Sequence, residues 1–270
     1  MQVDGTDVVV EGEGPATILM LHGWPDTLHL WDTQVAALRA RYRCVRFTLP
    51  GFDPAAARRA WSLDEVVGVI DQVVERACGH APLTLLLHDW GCFFGYQYAL
   101  RHPQRVQRIV GVDVGDAGSR SHLAELSLRQ KAQIVGYQLW LALAWHLGGR
   151  LGDAMARRMA RVARAPADPA RITARMGYPY AVQWTGARGG YRGAKLFVPA
   201  CPMLFVFGAR KPFMFHSAGW ATDLAARPGS RVLRFDTGHW VMTAQPDAFN
   251  RALLDWLDGG DRDDAHSGAA

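Results

Sequence analysis

Apolar runs of strand length alternate with stretches of helical period along most of the chain. Residues 16–23, ATILMLHG, form such a run and end in a Gly/Pro turn; residues 41–51, RYRCVRFTLPG, repeat the form. Residues 63–76 place apolar side chains at helical spacing, with Ser62 and Glu65 as a capping box. A strand at 83–87, a helix at 92–101 and a strand at 106–112 follow. From about residue 115 to 198 the rhythm changes to helical segments rich in Ala, Leu, Trp and Arg, with no clear strand. Alternation resumes with a strand at 203–207, a helix at 219–226, a strand at 231–235 and a helix at 249–257. This order predicts the α/β class, a mostly parallel sheet covered on both faces. The expected organisation is a core of 1–114 and 199–259, a helical cap of 115–198 inserted over the strand ends, and a frayed tail of 260–270.

Composition narrows this picture. The chain has 270 residues, 49% hydrophobic and 20% charged, enough for a sizeable core and unlike a disordered chain. No apolar run reaches the roughly 18 residues of a membrane span, and the first residues lack the basic and apolar regions of a signal peptide. Cys44, Cys78, Cys92 and Cys201 are scattered without CxxC spacing, as in a cytoplasmic protein with reduced thiols and neither a zinc site nor a disulfide framework. The net charge of +5 is matched by residues 150–175 alone, with seven Arg against two Asp. That segment contains no aromatic residue, so it reads as a solvated helix face and not as a nucleic-acid platform. No glycine-rich phosphate loop and no cluster of metal-ligand spacing is present, so no cofactor or metal is expected.

Three stretches carry candidate chemistry, each directly after a predicted strand, where open α/β sheets bind ligands. In LLLHDWGCFFGY, residues 85–96, Asp89 stands between a strand and a helix. Such an elbow exposes a nucleophile to the N–H groups of the helix start, and a carboxylate can attack carbon to form an ester. By itself Asp89 reads equally as a helix cap. In HGWPD, residues 22–26, the turn can aim the Trp24 N–H at the same place, forming an oxyanion hole with the N–H of Trp90. In DTGHW, residues 236–240, His239 can reach the elbow as a general base. His22 and His88 read as braces of the turns.

Together these motifs resemble the α/β-hydrolases, and within them the branch with an Asp nucleophile, which contains epoxide hydrolases and haloalkane dehalogenases. The resemblance runs from Val8 to Leu257 and is weakest in the cap. It implies Asp89 as nucleophile, His239 as base and a third acid that orients the histidine. The family often places that acid after the strand at 203–207, where this chain has GARKPFMFHS with Lys211 at the expected position. Some members take it from the end of the strand after the nucleophile helix. Asp113, 24 residues past Asp89, fits that pattern, with Asp116 in reserve. Leu87 is a second departure, since epoxide hydrolases commonly have Gly there and dehalogenases an aliphatic residue.

The leaving group separates the activities that the resemblance implies. Epoxide opening needs a proton donor, supplied in the family by cap tyrosines. Tyr137, 48 residues past Asp89, and Tyr191, followed by Arg192, match those positions, with Tyr178 and Tyr180 as rivals. Halide release needs two N–H donors. Trp90 can give one, but Trp24 replaces the Asn of many dehalogenases, leaving Trp140, Trp145 or Trp184 as substitutes. The expected activity is hydrolysis of an epoxide to a vicinal diol, with haloalkane dehalogenation second and a non-catalytic binding role third. The expected partners are water and a small apolar electrophile bordered by Trp140, Tyr178, Tyr180 and Trp184, with the protein a monomer or homodimer.

Overall fold

The structure is a computed structural model that describes residues 1–3 and 6–267, with side chains through Gly259. Its eight strands are β1 (Gln2–Val3), β2 (Thr6–Glu11), β3 (Ala16–Leu21), β4 (Tyr42–Phe47), β5 (Leu83–His88), β6 (Val106–Val112), β7 (Met203–Gly208) and β8 (Arg231–Phe235). They form one sheet in the order β1-β2-β4-β3-β5-β6-β7-β8. From β4 to β8 all pairs are parallel; β1 and β2 add an antiparallel edge. The six expected strands are present. The edge pair is not legible in the apolar pattern, because Val8–Val10 is a short run and an edge strand gains much of its definition from pairing with its neighbour.

Side-chain alternation sends successive strand residues into two cores. Leu85 and Leu87 of β5 enter one, with Leu19 and Leu21 of β3; Leu86 enters the other, with Ile18 and Met20. Helices α1 (Asp32–Leu38), α2 (Leu63–Ala77) and α3 (Trp90–Arg101) follow β3, β4 and β5. The Ser62–Glu65 capping box closes the start of α2, with the Glu65 carboxylate accepting the Ser62 N–H at 2.7 Å. Leu87, large for its place, fits because Gly95 of α3 faces it. A Cβ there would lie 2.5 Å from Leu87 Cδ2.

Between β6 and β7 the chain is helical, with α4 (Arg120–Glu125), α5 (Leu128–Leu147), α6 (Gly149–Ala163) and α7 (Tyr178–Thr185). This insertion lies over the carboxyl ends of the strands. Tyr180 of α7 packs edge-on to Trp24, beyond β3, and to Trp90, beyond β5, at 6.2 and 5.2 Å between ring centres. The chain then adds α8 (Ala218–Ala225), α9 (Val241–Ala244) and α10 (Pro246–Ser267). Helix thus continues through Ser267, where a frayed tail is expected over 260–270; residues 268–270 lie outside the described residues. No helix among the described residues is long and apolar enough to cross a membrane.

Candidate active site

The elbow after β5 is a strained turn. Asp89 has φ 54° and ψ −122°, a conformation that costs on the order of 1–3 kcal/mol for a residue with a Cβ. Its side chain makes no capping hydrogen bond to α3, so the helix-cap reading fails. The carboxylate turns instead towards the loop after β3, where the main-chain N–H of Trp24 donates to Oδ1 at 2.7 Å. The main-chain N–H of Trp90 lies close by and helps to keep the carboxylate ionised. Gly23 makes this approach possible, because a Cβ there would sit 2.3 Å from Asp89 Oδ1. Gly91 serves the same end, since its Cβ would meet the Leu21 carbonyl at 2.3 Å.

His239 arrives on the loop after β8. Its Nε2 lies 3.4 Å from Asp89 Oδ2, and its Nδ1 is hydrogen-bonded to Asp113 Oδ2. Asp113, fully buried beyond β6, also accepts the Gly208 N–H at 2.9 Å and the ammonium of Lys211, both on Oδ1. Asp116 is spent elsewhere: its carboxylate accepts the Ser217 N–H at 2.7 Å and the hydroxyls of Ser217 and Ser119. The chain therefore brings Asp89, His239 and Asp113 into one line, hydrogen-bonded between His239 and Asp113 and in ion-pair contact between His239 and Asp89, and leaves Asp116 outside it.

Burial opposes the charge on Asp89, but the hydrogen bond and charge of His239 outweigh it and hold the carboxyl below the usual range. Asp113 is likewise opposed by burial and held down by Lys211 and His239. Burial presses His239 down, yet the two carboxylates raise it to about 9. The neighbouring histidines are neutral by burial, His22 lowered to about 4 and His88 to about 3. His22 braces the turn between the Gly23 carbonyl and the Leu49 N–H, and His88 contacts the His239 carbonyl at 3.3 Å.

Two cavities meet at Asp89. One of about 880 Å³ is lined by Trp24, Tyr137, Tyr180, Phe213 and His239. The other, about 670 Å³, reaches Trp90, Phe93 and Tyr191. Asp89, Tyr137, Tyr180 and Phe215 line both. Tyr137 and Tyr180 face each other edge-on at 5.9 Å between ring centres. Burial keeps both phenols protonated, and the Asp89 charge adds to that effect. Tyr191 lines only the second cavity. Its ring packs on Trp90 and Phe93, and its hydroxyl is buried without a partner.

Three of the expected substrate contacts line neither cavity. Trp140 donates its indole N–H to the Met155 carbonyl at 3.0 Å, joining α5 to α6. Trp184 donates its indole N–H to the Gln138 side-chain oxygen at 3.1 Å and is 42% exposed. Tyr178 packs against Phe52 with its hydroxyl buried and unpartnered. A helix period cannot tell which of its two apolar flanks faces a cavity and which faces a neighbouring helix. Phe215 belongs to the site but is not readable as such in the sequence. Phe215 sits 5.5 Å from the His239 ring, centre to centre, in a loop of no regular period.

Fold and site geometry together define an α/β-hydrolase with a carboxylate at its elbow. Residues 16–243 match the family described as alpha/beta hydrolase fold, and the chain belongs to it. It is 22% identical to human epoxide hydrolase 4, over 92% of this chain and 74% of that protein. Over a shorter stretch it is 34% identical to a cis-3-alkyl-4-alkyloxetan-2-one decarboxylase of Xanthomonas campestris pv. campestris, covering 36% of this chain and 37% of that protein. The structure resembles that of Bacillus megaterium epoxide hydrolase with an inhibitor, at TM-score 0.71 and 21% identity over 96% of this chain and 99% of that one. It also resembles a loop variant of a haloalkane dehalogenase from Bradyrhizobium elkanii, at TM-score 0.70 and 17% identity over 99% and 98%. At these identities the structural likeness carries the fold.

Proposed function

We propose that the protein hydrolyses an apolar epoxide to a vicinal diol through an ester on Asp89. The observation that carries this reading is the pair of protonated phenols, Tyr137 and Tyr180, lining the same cavity as Asp89. Asp89 attacks a ring carbon while a phenol proton passes to the departing ring oxygen. Water then attacks the ester carbonyl, and His239, oriented by Asp113, takes its proton. The N–H of Trp24, which bonds Asp89 Oδ1, stabilises the oxygen that becomes negative in the tetrahedral intermediate, with the N–H of Trp90 as the second donor. Collapse releases the diol and restores the carboxylate. The relatives named epoxide hydrolase agree with this choice.

Dehalogenation remains a second reading, favoured by one observation: the indole N–H of Trp24 is buried beside the site without a partner, as a halide donor would be. The binding-protein reading loses its motive, because Asp113 does reach His239. One experiment separates these outcomes. Wild type and Asp89→Asn are offered an aryl epoxide and a bromoalkane, and diol and bromide are measured separately. Diol formed by wild type and lost in the variant supports the proposal; bromide without diol replaces it. A single turnover in ¹⁸O-water should yield diol free of label, the added oxygen having come from Asp89. Label in the first-turnover product rules out the ester.

A further inference from the structure

Lys211 is a buried charged group in direct contact with the Asp113–His239 pair, and the proposed steps give it no task. It follows β7, its side chain is 6% exposed, and it donates to Asp113 Oδ1 while His239 binds Oδ2 of the same carboxylate. A buried ion pair is poor evidence for stability, since desolvation can cancel its attraction. The pair is better understood through the charge balance of the site.

In the resting site two carboxylates, Asp89 and Asp113, face two cations, the His239 imidazolium and the Lys211 ammonium. Esterification turns Asp89 neutral. Without Lys211, the unbalanced Asp113 carboxylate would hold the His239 proton more firmly, and an imidazolium cannot take a proton from water. With Lys211 present, Asp113 is already balanced and the imidazolium is the surplus charge. We propose that Lys211 is a positioning residue for ester hydrolysis: it balances Asp113, so that His239 sheds its proton once Asp89 is esterified and becomes the base for water. This rests on the ester mechanism above. The proton that His239 loses supplies the ring oxygen, by way of the phenol. The proton it regains comes from water, so the cycle closes on epoxide plus water giving diol.

The other groups around the pair do not supply this balance. His88, from the end of β5, is held neutral by burial, and so is His216, beside Lys211, lowered to about 4. Asp26, from the loop after β3, acts on His239 only at a distance and is hydrogen-bonded to Trp240. Arg210, next in the chain to Lys211, is spent on Asp236 at the surface. Phe215 presents its ring 5.5 Å from Nζ and carries no charge.

The test needs no substrate. Asp89→Asn copies the charge of the esterified site, and the His239 imidazole is titrated in it by ¹⁵N NMR. Adding Lys211→Met or Lys211→Gln should move the midpoint upward by about one pH unit or more, and Lys211→Arg should leave it in place. The Gln variant keeps a hydrogen-bond donor for Asp113 without the charge, and it serves if the Met variant does not fold. With Asp89 restored and substrate added, the ester should accumulate at neutral pH in the Gln variant, seen by intact mass. A midpoint unmoved by Gln, or moved as far by Arg, overturns the role of Lys211. Because the titration precedes any turnover, failure to open epoxides leaves this result readable by itself.

Discussion

The indole N–H of Trp240 donates to Asp26 Oδ2 at 2.8 Å, tying the loop after β3 to the loop after β8. Both residues are buried, 4% and 6% exposed. The bond joins the segment that carries the Trp24 amide to the segment that carries His239, so it fixes two sides of the site at once.

Burial pushes the Asp26 carboxyl up from 3.8 to about 7, against the hydrogen bond from Trp240. The folded protein therefore holds a proton there that the unfolded chain releases near its ordinary value. Stability from this group is complete below about pH 4 and is lost as pH rises through about 7. Asn resembles the protonated form and still accepts from Trp240. The stability of Asp26→Asn relative to wild type should increase between those pH values by a few kcal/mol, then level off. Urea unfolding of both proteins at a series of pH values checks this, and a flat difference would mean that the folded carboxyl has its ordinary affinity.

Asp113→Asn should let the ester form on Asp89 and slow its hydrolysis by about 10²-fold or more, since His239 loses the carboxylate that orients it. Intact mass after mixing with epoxide should show the added substrate. Asp116→Asn should not trap the ester, because its carboxylate serves Ser217 and Ser119; it should instead lower the unfolding midpoint.

Tyr137→Phe and Tyr180→Phe should each reduce epoxide opening by about 10- to 100-fold, with the larger loss in the double variant. Bromoalkane turnover, where it occurs, should be nearly unchanged, because halide departure needs no phenol proton. Tyr191→Phe should stay within about twofold of wild type, its hydroxyl being buried away from any partner. Rates of diol and bromide formation measured side by side separate the three phenols.

Gly23→Ala should lower activity far more than stability. The new methyl would meet Asp89 Oδ1 at 2.3 Å, forcing the loop and elbow apart at an overall cost of about 1–3 kcal/mol. The separation breaks the Trp24 N–H bond to Oδ1, which the tetrahedral intermediate of the proposed mechanism requires. Thermal unfolding and the rate of ester hydrolysis, measured on one preparation, should show this imbalance.

Periodicity and local motif were enough to identify six of the eight strands, the capping box at Ser62 and Glu65, the helical insertion, and the placement of Asp89, His22 to Asp26 and His239 at strand ends. Those features depend on neighbours within a few residues, and a linear pattern records them. Other features depend on contacts between distant segments. Asp113 and Asp116 stand three residues apart at one strand end, and only the packing of the loops after β7 and β8 decides which meets His239. Choosing among four cap tyrosines requires the rotation of α5 and α7 over the sheet, which the apolar pattern leaves undetermined because a cap helix has apolar neighbours on two sides. Lys211 reads in the sequence as a missing acid; across the fold it is the cation on Asp113, because β6 and β7 are parallel neighbours whose ends converge there. Strand, turn and helix start are local properties of the chain, while charge balance and cavity lining arise from side chains that meet only after the sheet has formed.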